Sequence, residues 1–389
     1  MKNIVVLGTG LAGVPIIRQT MRNVILPSSD YKLIVISPTD HFLWPIAIPR
    51  AILPDQFADN QIFFPLAPVF KDFPADKFEF VLGAVSSVHP ESNSLLVGNR
   101  KVDYHTLIIA TGSKSKDATP WKLSGDAEEM KKALHKAQKE IEEADSVAVI
   151  GGGVTGSETA GELGYEYSRV GKKDVHFIYS SELPLQPVVL EKTRKQTVIE
   201  LERLKVKLHS NTKVTDTTQA KNGKQTLKMK SSDGSIEYLT VGAVIHATGL
   251  APNTSFMPAS MLNEHGLIKQ DGYLRATGHK NIFVAGDVGD LEPAKASFLD
   301  TQVQWLVKHL PAYFSSASGD LPLQPYKKDG VEPRNLEVLT IGKSRGAGHL
   351  GSWTVPSLLV WWVKGRSLGT DYAEAYSYGK RVLTTTFEK

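Results

Sequence analysis

The stretch IVVLGTGLAGVPIIRQT, residues 4–20, decides the fold. Residues 4–7 are an apolar, largely β-branched run of the kind that makes a strand buried on both faces. The run stops at Gly8-Thr-Gly10-Leu-Ala-Gly13, where a helix-compatible stretch begins. Each glycine meets a separate demand: Gly8 permits the tight turn, Gly10 lets the backbone approach a pyrophosphate, and Gly13 lets the helix lie close on the strand. The helix N-terminus then faces the phosphates with its free N–H groups. One such fingerprint is weak, because a glycine-rich turn between strand and helix also arises by chance. Here it recurs. VAVIGGGVTGSETAGEL, residues 147–163, repeats the order of strand, Gly151-Gly-Gly153-Val-Thr-Gly156 turn and helix.

In this motif the strand after the first helix ordinarily ends in an acidic residue that binds the adenosine ribose. Neither copy keeps it: YKLIVIS ends at Ser37, and DVHFIYSSE runs through Tyr179, Ser180 and Ser181. Ser37 retains a hydroxyl for one hydrogen bond. At the second site no carboxylate repels a 2′-phosphate, so NADPH is expected to be tolerated at least as well as NADH.

Two further segments repeat. KVDYHTLIIATGS (101–113) and VGAVIHATGLAPN (241–253) each run from a strand into Ala-Thr-Gly. Each follows a stretch of alternating apolar and polar residues, 78–98 and 204–218, suggestive of antiparallel strands. The repeat is therefore of whole domains. EEMKKALHKAQKEIEEA (128–144) sets Met130, Ala133, Leu134, Ala137 and Ile141 on one helical stripe and opens the inserted unit. HKNIFVAGDVGD (279–290) is a strand ending at Gly286-Asp287, and ASFLDTQVQWLVKHL (296–310) is an apolar helix preceded by Lys295. The positive end of that helix suits an anionic group.

Composition limits the chemistry. A chain of 389 residues allows two or three domains. The basic excess of 45 − 41 = 4 is spread along the chain, so a nucleic-acid partner is not expected. With no cysteine there is no disulfide, thiolate metal site or redox dithiol, and the eleven histidines show no metal-binding spacing, so no metal site is expected. No apolar run reaches the roughly 18 residues that span a bilayer, and an intracellular, cytoplasmic location is expected. The start, MKN, lacks the Met-Gly of N-myristoylation. PSLLVWWVKGRS (356–367) mixes Trp361 and Trp362 with Lys364 and Arg366. It reads as a packed strand or dimer contact, with peripheral membrane contact as the alternative.

The set of Gly8, Ala110-Thr111-Gly112, Gly151, ATGLAPN and Gly286-Asp287 resembles the two-dinucleotide-binding flavoproteins over residues 1–310. With no cysteine it is unlike the dithiol reductases. TDHFLWPIAIPRAI (39–52), GGGVTGSETAGEL, EPAKASFLDTQ (292–302) and QPYKKDG (324–330) bring it nearest to the apoptosis-inducing-factor-like and ferroptosis-suppressor-like (AMID-like) branch, with type II NADH dehydrogenases as relatives. The resemblance implies an α/β fold of two Rossmann-like domains of the glutathione-reductase type, the second inserted in the first. The expected boundaries are 1–116 with 249–322 for FAD, 117–248 for NADPH or NADH, and 323–389 for a small C-terminal α+β domain.

Residue by residue, the resemblance places FAD on Gly8, Gly10, Leu11, Ala12, Gly13, Ser37, Pro38, Arg50 and Val85. Ala110, Thr111, Gly112, Gly286 and Asp287 continue that site, with Lys295 and Ala296 at the isoalloxazine end. It places NAD(P)H on Gly151, Gly153, Val154, Thr155, Gly156 and Gly249. Glu158 matches a position beside the nicotinamide, although a carboxylate in a first helical turn also serves the helix dipole. Lys327 matches a lysine on the acceptor side. The implied activity is hydride transfer from NAD(P)H to FAD, then two electrons to a quinone-like small molecule, by a monomer or homodimer. Phe42, Trp44 and Phe298 are candidates for an apolar acceptor pocket. Two alternatives stand beside this reading: a tailoring oxidoreductase of a specialised-metabolite pathway, and a low-turnover redox-signalling flavoprotein.

Overall fold

The computed structural model describes residues 1–117, 119–122, 125–220, 223–316, 324–326 and 336–388. Its first sheet is parallel, in the order Ile282–Val284, Thr106–Ile109, Lys2–Leu7, Tyr31–Ser37, Phe78–Leu82. Ile4, Val5, Val6 and Leu7 have no solvent exposure: Ile4 and Val6 cluster with helix residues Ile16 and Ile17, and Val5 and Leu7 with Val88, Leu95 and Val102 on the other face. The second sheet is also parallel, in the order Lys207–His209, Asp174–Ile178, Ser146–Ile150, Ala243–His246. In both, the fingerprint strand lies between the strand that follows its helix and the strand that runs into Ala-Thr-Gly. Two Rossmann-type sheets are thus present.

The antiparallel expectation holds only in part. Val85–His89, Ser94–Val97 and Arg100–Asp103 form one antiparallel meander, and Thr212–Gln219, Gln225–Ser231 and Ile236–Val241 form another. The leading pieces, Phe78–Leu82 and Lys207–His209, instead extend the parallel sheets. Alternation did not separate them, because Phe78–Leu82 packs Phe78 and Phe80 on one core and Val81 on the other.

The chain passes between the sheets twice, and the two passages pair: Ser113–Ser115 runs antiparallel to Leu250–Pro252. Asn253 extends the zipper, its N–H donating to Gly112 O at 2.9 Å and its Nδ2 to Thr111 O at 3.0 Å. The helix Ala127–Glu143 begins at Asp126, whose carboxylate accepts the Glu128 N–H, and it buries Met130, Leu134 and Ile141.

A hairpin, Leu336–Ile341 with Arg345–Leu350, packs on the second fingerprint helix, Val154–Glu166. The approach is close enough that a Cβ on Gly161 would stand 2.8 Å from Ile341 Cα. Residues 356–367 do not form a strand. Pro356 caps a short helix, Ser357–Val360, that runs on into a single wide turn, Trp361–Gly365. Val360 is buried, whereas Leu358, Leu359, Trp362 and Val363 face solvent. Among the described residues no helix is long and apolar enough to cross a membrane.

Candidate active site

Both glycine turns are built by contact with the Ala-Thr-Gly segment beside them. Gly8, at φ 95°, donates its N–H to Ile36 O, and a Cβ there would stand 2.4 Å from Ala110 O. A Cβ on Gly13 would lie 2.0 Å from Gly8 O, whereas one on Gly10 would meet no protein atom within 4 Å. The second turn repeats the pattern. Gly151, at φ 121°, donates to Ile178 O and crowds Ala247 O; Gly156 crowds Gly151 O; Gly153 faces open space. Two glycines of each triad are thus demanded by the fold. The third leaves bare backbone at a helix N-terminus, a cradle that fits a phosphate and that a side chain would fill.

Beside the first turn lies a cavity of about 1530 Å³. Gly8, Gly10, Leu11, Ala12, Ser37, Pro38 and Val85 line it, as do Ala110, Thr111, Gly112, Gly286, Asp287, Lys295 and Ala296. Gly13 is buried beneath its wall. Of the residues expected at the second site, Val154, Thr155 and Glu158 reach the same cavity, while Gly151, Gly153, Gly156 and Gly249 do not line it. Lys327 lies outside the described residues. Leu43, Pro45, Ile46, Phe298, Tyr326, Val338, Val363 and Tyr372 supply much of the remaining, mainly apolar wall.

The polar groups of the cavity hold one another in place. Asp287 accepts from Ser113 Oγ at 2.6 Å and from Lys122 Nζ at 3.2 Å. Burial alone would raise its pKa, but the Lys122 charge and the two hydrogen bonds more than offset this, so the carboxyl sits below its ordinary range. Lys122 lies in the passage between the sheets, and nothing in its sequence surroundings marked it. Lys295 is not a free cation, for its Nζ is 2.8 Å from Glu337 Oε2. The Ser37 hydroxyl is also engaged, sharing a 2.8 Å hydrogen bond with Thr9 Oγ1 and accepting the Thr39 N–H. Tyr326 donates to Glu292 at 2.6 Å, and burial, then the Glu292 hydrogen bond, push its pKa well up.

Three carboxylates stand one turn apart on the second fingerprint helix, and each meets a cation from far along the chain. Glu158 accepts from Lys364 Nζ at 2.7 Å and from the Thr340 N–H at 3.0 Å. Glu162 is held by Arg50, and Glu166 by Lys343 at 2.6 Å. The spacing of four in SETAGELGYE is visible in sequence; the cations are not, because only the folded chain brings them there. Lys364 lines the cavity, a place that its reading within the 356–367 stretch did not give it.

Arg50, Phe42 and Trp44 stand back from the cavity. The Arg50 guanidinium is buried and forked onto Glu162, Nε to Oε2 at 2.9 Å and Nη2 to Oε1 at 2.8 Å, because an unpaired carboxylate there would be costly. Phe42 and Trp44 are core residues with no exposure. They pack on Tyr376, and Trp44 Nε1 donates to Leu368 O at 2.8 Å; of the three aromatic candidates only Phe298 reaches the cavity.

The model of the family described as pyridine nucleotide-disulphide oxidoreductase matches residues 2–301. The chain belongs to this family. It is therefore a flavoprotein oxidoreductase that binds a flavin and a nicotinamide nucleotide. Oxidoreductase ptaL of Pestalotiopsis fici is 34% identical over 369 residues, covering 92% of this chain and 94% of that protein. Ferroptosis suppressor protein 1 of Taeniopygia guttata is 26% identical, covering 94% of this chain and 93% of its own length, as the sequence resemblance implied. Among solved structures, the sulfide:quinone oxidoreductase of Aquifex aeolicus superposes with a TM-score of 0.73 at 17% identity over 97% of this chain and 92% of that one, and so shares the fold.

Proposed function

We propose that this family member is a FAD-dependent enzyme that takes a hydride from NAD(P)H and passes two electrons to a quinone-like acceptor. The observation that carries the reading is one cavity lined both by the first glycine turn, with Gly10, and by the second fingerprint helix, with Thr155 and Glu158, together with Asp287, Phe298, Tyr326 and Tyr372. When bound, FAD supplies the two-electron carrier that joins the half-reactions. Residues 1–116 and 249–322 would hold it: the bare backbone at Gly10 would receive the pyrophosphate, Asp287 would accept from a sugar-alcohol hydroxyl, and the N-terminus of Ala296–Ser315 would favour negative charge on the ring system. Residues 117–248 would hold NAD(P)H at Gly153, with Glu158 toward the nicotinamide. Tyr179 and the two serines after it place no carboxylate against a 2′-phosphate, so both nicotinamides are accepted. Lys327 is assigned to the acceptor side. With no cysteine in the chain, electrons leave without a thiol relay.

Val363 is both exposed and on the cavity wall, beside exposed Trp362 and Leu359. This supports entry of an apolar acceptor from that face, and peripheral contact there with a membrane. A second reading keeps the same cavity and cofactors and makes the acceptor another small metabolite. Stopped-flow reduction of the purified yellow protein by NADH and NADPH, followed by an oxidant screen, tests both. Rapid bleaching and quinone-dependent turnover with little peroxide are expected. Turnover only with a non-quinone metabolite selects the second reading, and a protein that purifies without flavin refutes both.

A further inference from the structure

We propose that Arg50 is a positioning residue: a single buried guanidinium sets both partners of the Glu158–Lys364 ion pair at the cavity wall, and it acts without touching the flavin. This rests on the proposed meeting of flavin and nicotinamide in that cavity. Besides its two hydrogen bonds to Glu162, Arg50 donates from Nη2 to Gly365 O at 2.8 Å. Glu162 is one helical turn from Glu158, so both carboxylates share a face. Gly365 is the next residue after Lys364. Nε and Nη2 of Arg50 therefore hold the helix one turn from the first partner, and the same Nη2 holds the main chain one residue from the second. Neither Glu158 nor Lys364 is itself within the hydrogen bonds of Arg50.

The surroundings leave little slack. Gly161 brings the helix against Ile341, and a Cβ on Gly365 would stand 2.9 Å from the Trp361 ring. The Thr340 N–H and Val338 O, two residues apart on one hairpin strand, complete the bonds of Glu158 and Lys364. Charge argues the same way. Glu158 and Glu162 repel, and with Glu162 matched by Arg50 the Lys364 ammonium is left to answer Glu158. Lysine at position 50 has no planar fork and cannot span a carboxylate and a carbonyl at once in this geometry. A buried ion pair adds little to stability over an apolar pair of similar volume, so its use here is to fix geometry.

The test separates a flavin contact from a positioning role. Arg50→Met with Glu162→Met removes both charges and keeps the site filled, and Arg50→Lys keeps charge opposite Glu162 but loses the tie to Gly365. Each variant is measured for FAD dissociation constant on the stripped protein, for NAD+ and NADP+ dissociation constants by flavin absorbance perturbation, and for the pH profile of flavin reduction. We expect FAD affinity within about twofold of wild type, nicotinamide affinity or reduction rate down about tenfold, and a displaced pH profile in both variants. If FAD affinity falls and the nicotinamide side holds, Arg50 belongs to the flavin pocket. If only thermal stability changes, the residue is merely structural, and the proposal is overturned. Should the double variant not fold, Arg50→Lys decides alone. Failure of the wild type to be reduced by either nicotinamide would refute the proposed function before any variant is read.

Discussion

The two glycine turns share their backbone bonds yet open differently. At the first, Gly8 and Ala12 are buried and the turn forms part of the cavity wall; at the second, Gly151 and Gly152 are half-exposed and only Val154, Thr155 and Glu158 of the helix reach that cavity. The same local sequence thus makes a deep site and an open one, and what surrounds the turn sets the difference. For the first, the C-terminal residues add Leu368, Tyr372 and Leu383 to the wall. Under the proposed function the first site takes the flavin and the more open second one the nicotinamide.

The largest expected effect comes from the fold-demanded glycines. Gly13→Ala puts a methyl 2.0 Å from Gly8 O, and Gly156→Ala puts one equally close to Gly151 O. Overpacking of this severity costs about 3 kcal/mol or more. Purified Gly13→Ala should be colourless, while Gly156→Ala should stay yellow and fail to be reduced by NAD(P)H. Equal flavin loss from both would erase the contrast. A smaller effect is expected at the open glycines. Gly10→Ala and Gly153→Ala meet no protein atom, so melting temperatures should stay within about 2 °C. Gly10→Ala should weaken FAD and Gly153→Ala should weaken NAD(P)H about tenfold, roughly 1.4 kcal/mol, by isothermal titration. An unchanged affinity in either would show that no phosphate sits there.

The smallest effect concerns pH. In the second sheet His176 stacks on His209 and shares a 3.0 Å hydrogen bond with it, where the first sheet has Ile34 at the corresponding register. Burial, then the neighbouring His209, push the His176 pKa from 6.5 down to about 4. Between those values the unfolded chain binds a proton that the folded one refuses, so stability is lost as pH falls from 6.5 toward 4. At pH 5 the loss is about 1 kcal/mol once solvent screening is included. Urea unfolding at pH 7 and pH 5 should show this in wild type and less of it in His176→Gln. Parallel pH slopes in the two proteins would assign the acid sensitivity elsewhere.

Much of the fold was legible because a glycine fingerprint states its requirement locally. Gly8, Gly13, Gly151 and Gly156 are fixed by neighbours in the same turn or in the adjoining Ala-Thr-Gly segment, and each was readable from spacing. What could not be read depends on long-range partners. Trp44 looked like a pocket residue until Leu368 O, 324 positions away, took its N–H. Arg50 looked like a cofactor contact until Glu162 and Gly365 claimed its guanidinium. Lys122 and Lys364 have ordinary surroundings in sequence, and only folding gives them Asp287 and Glu158. The glycines demanded by the backbone were thus readable, and side chains chosen by a distant charge were not.

The paired passages at Ser113–Ser115 and Leu250–Pro252 constrain how the molecule can bend. Two separate tethers would let the inserted unit twist about either one. Stitched together, they act as a single strap that flexes about one line and resists torsion. Because Arg50 on Glu162 and Gln138 on Ala51 O tie the same two units elsewhere, turning one sheet against the other about that strap has to break a buried ion pair first.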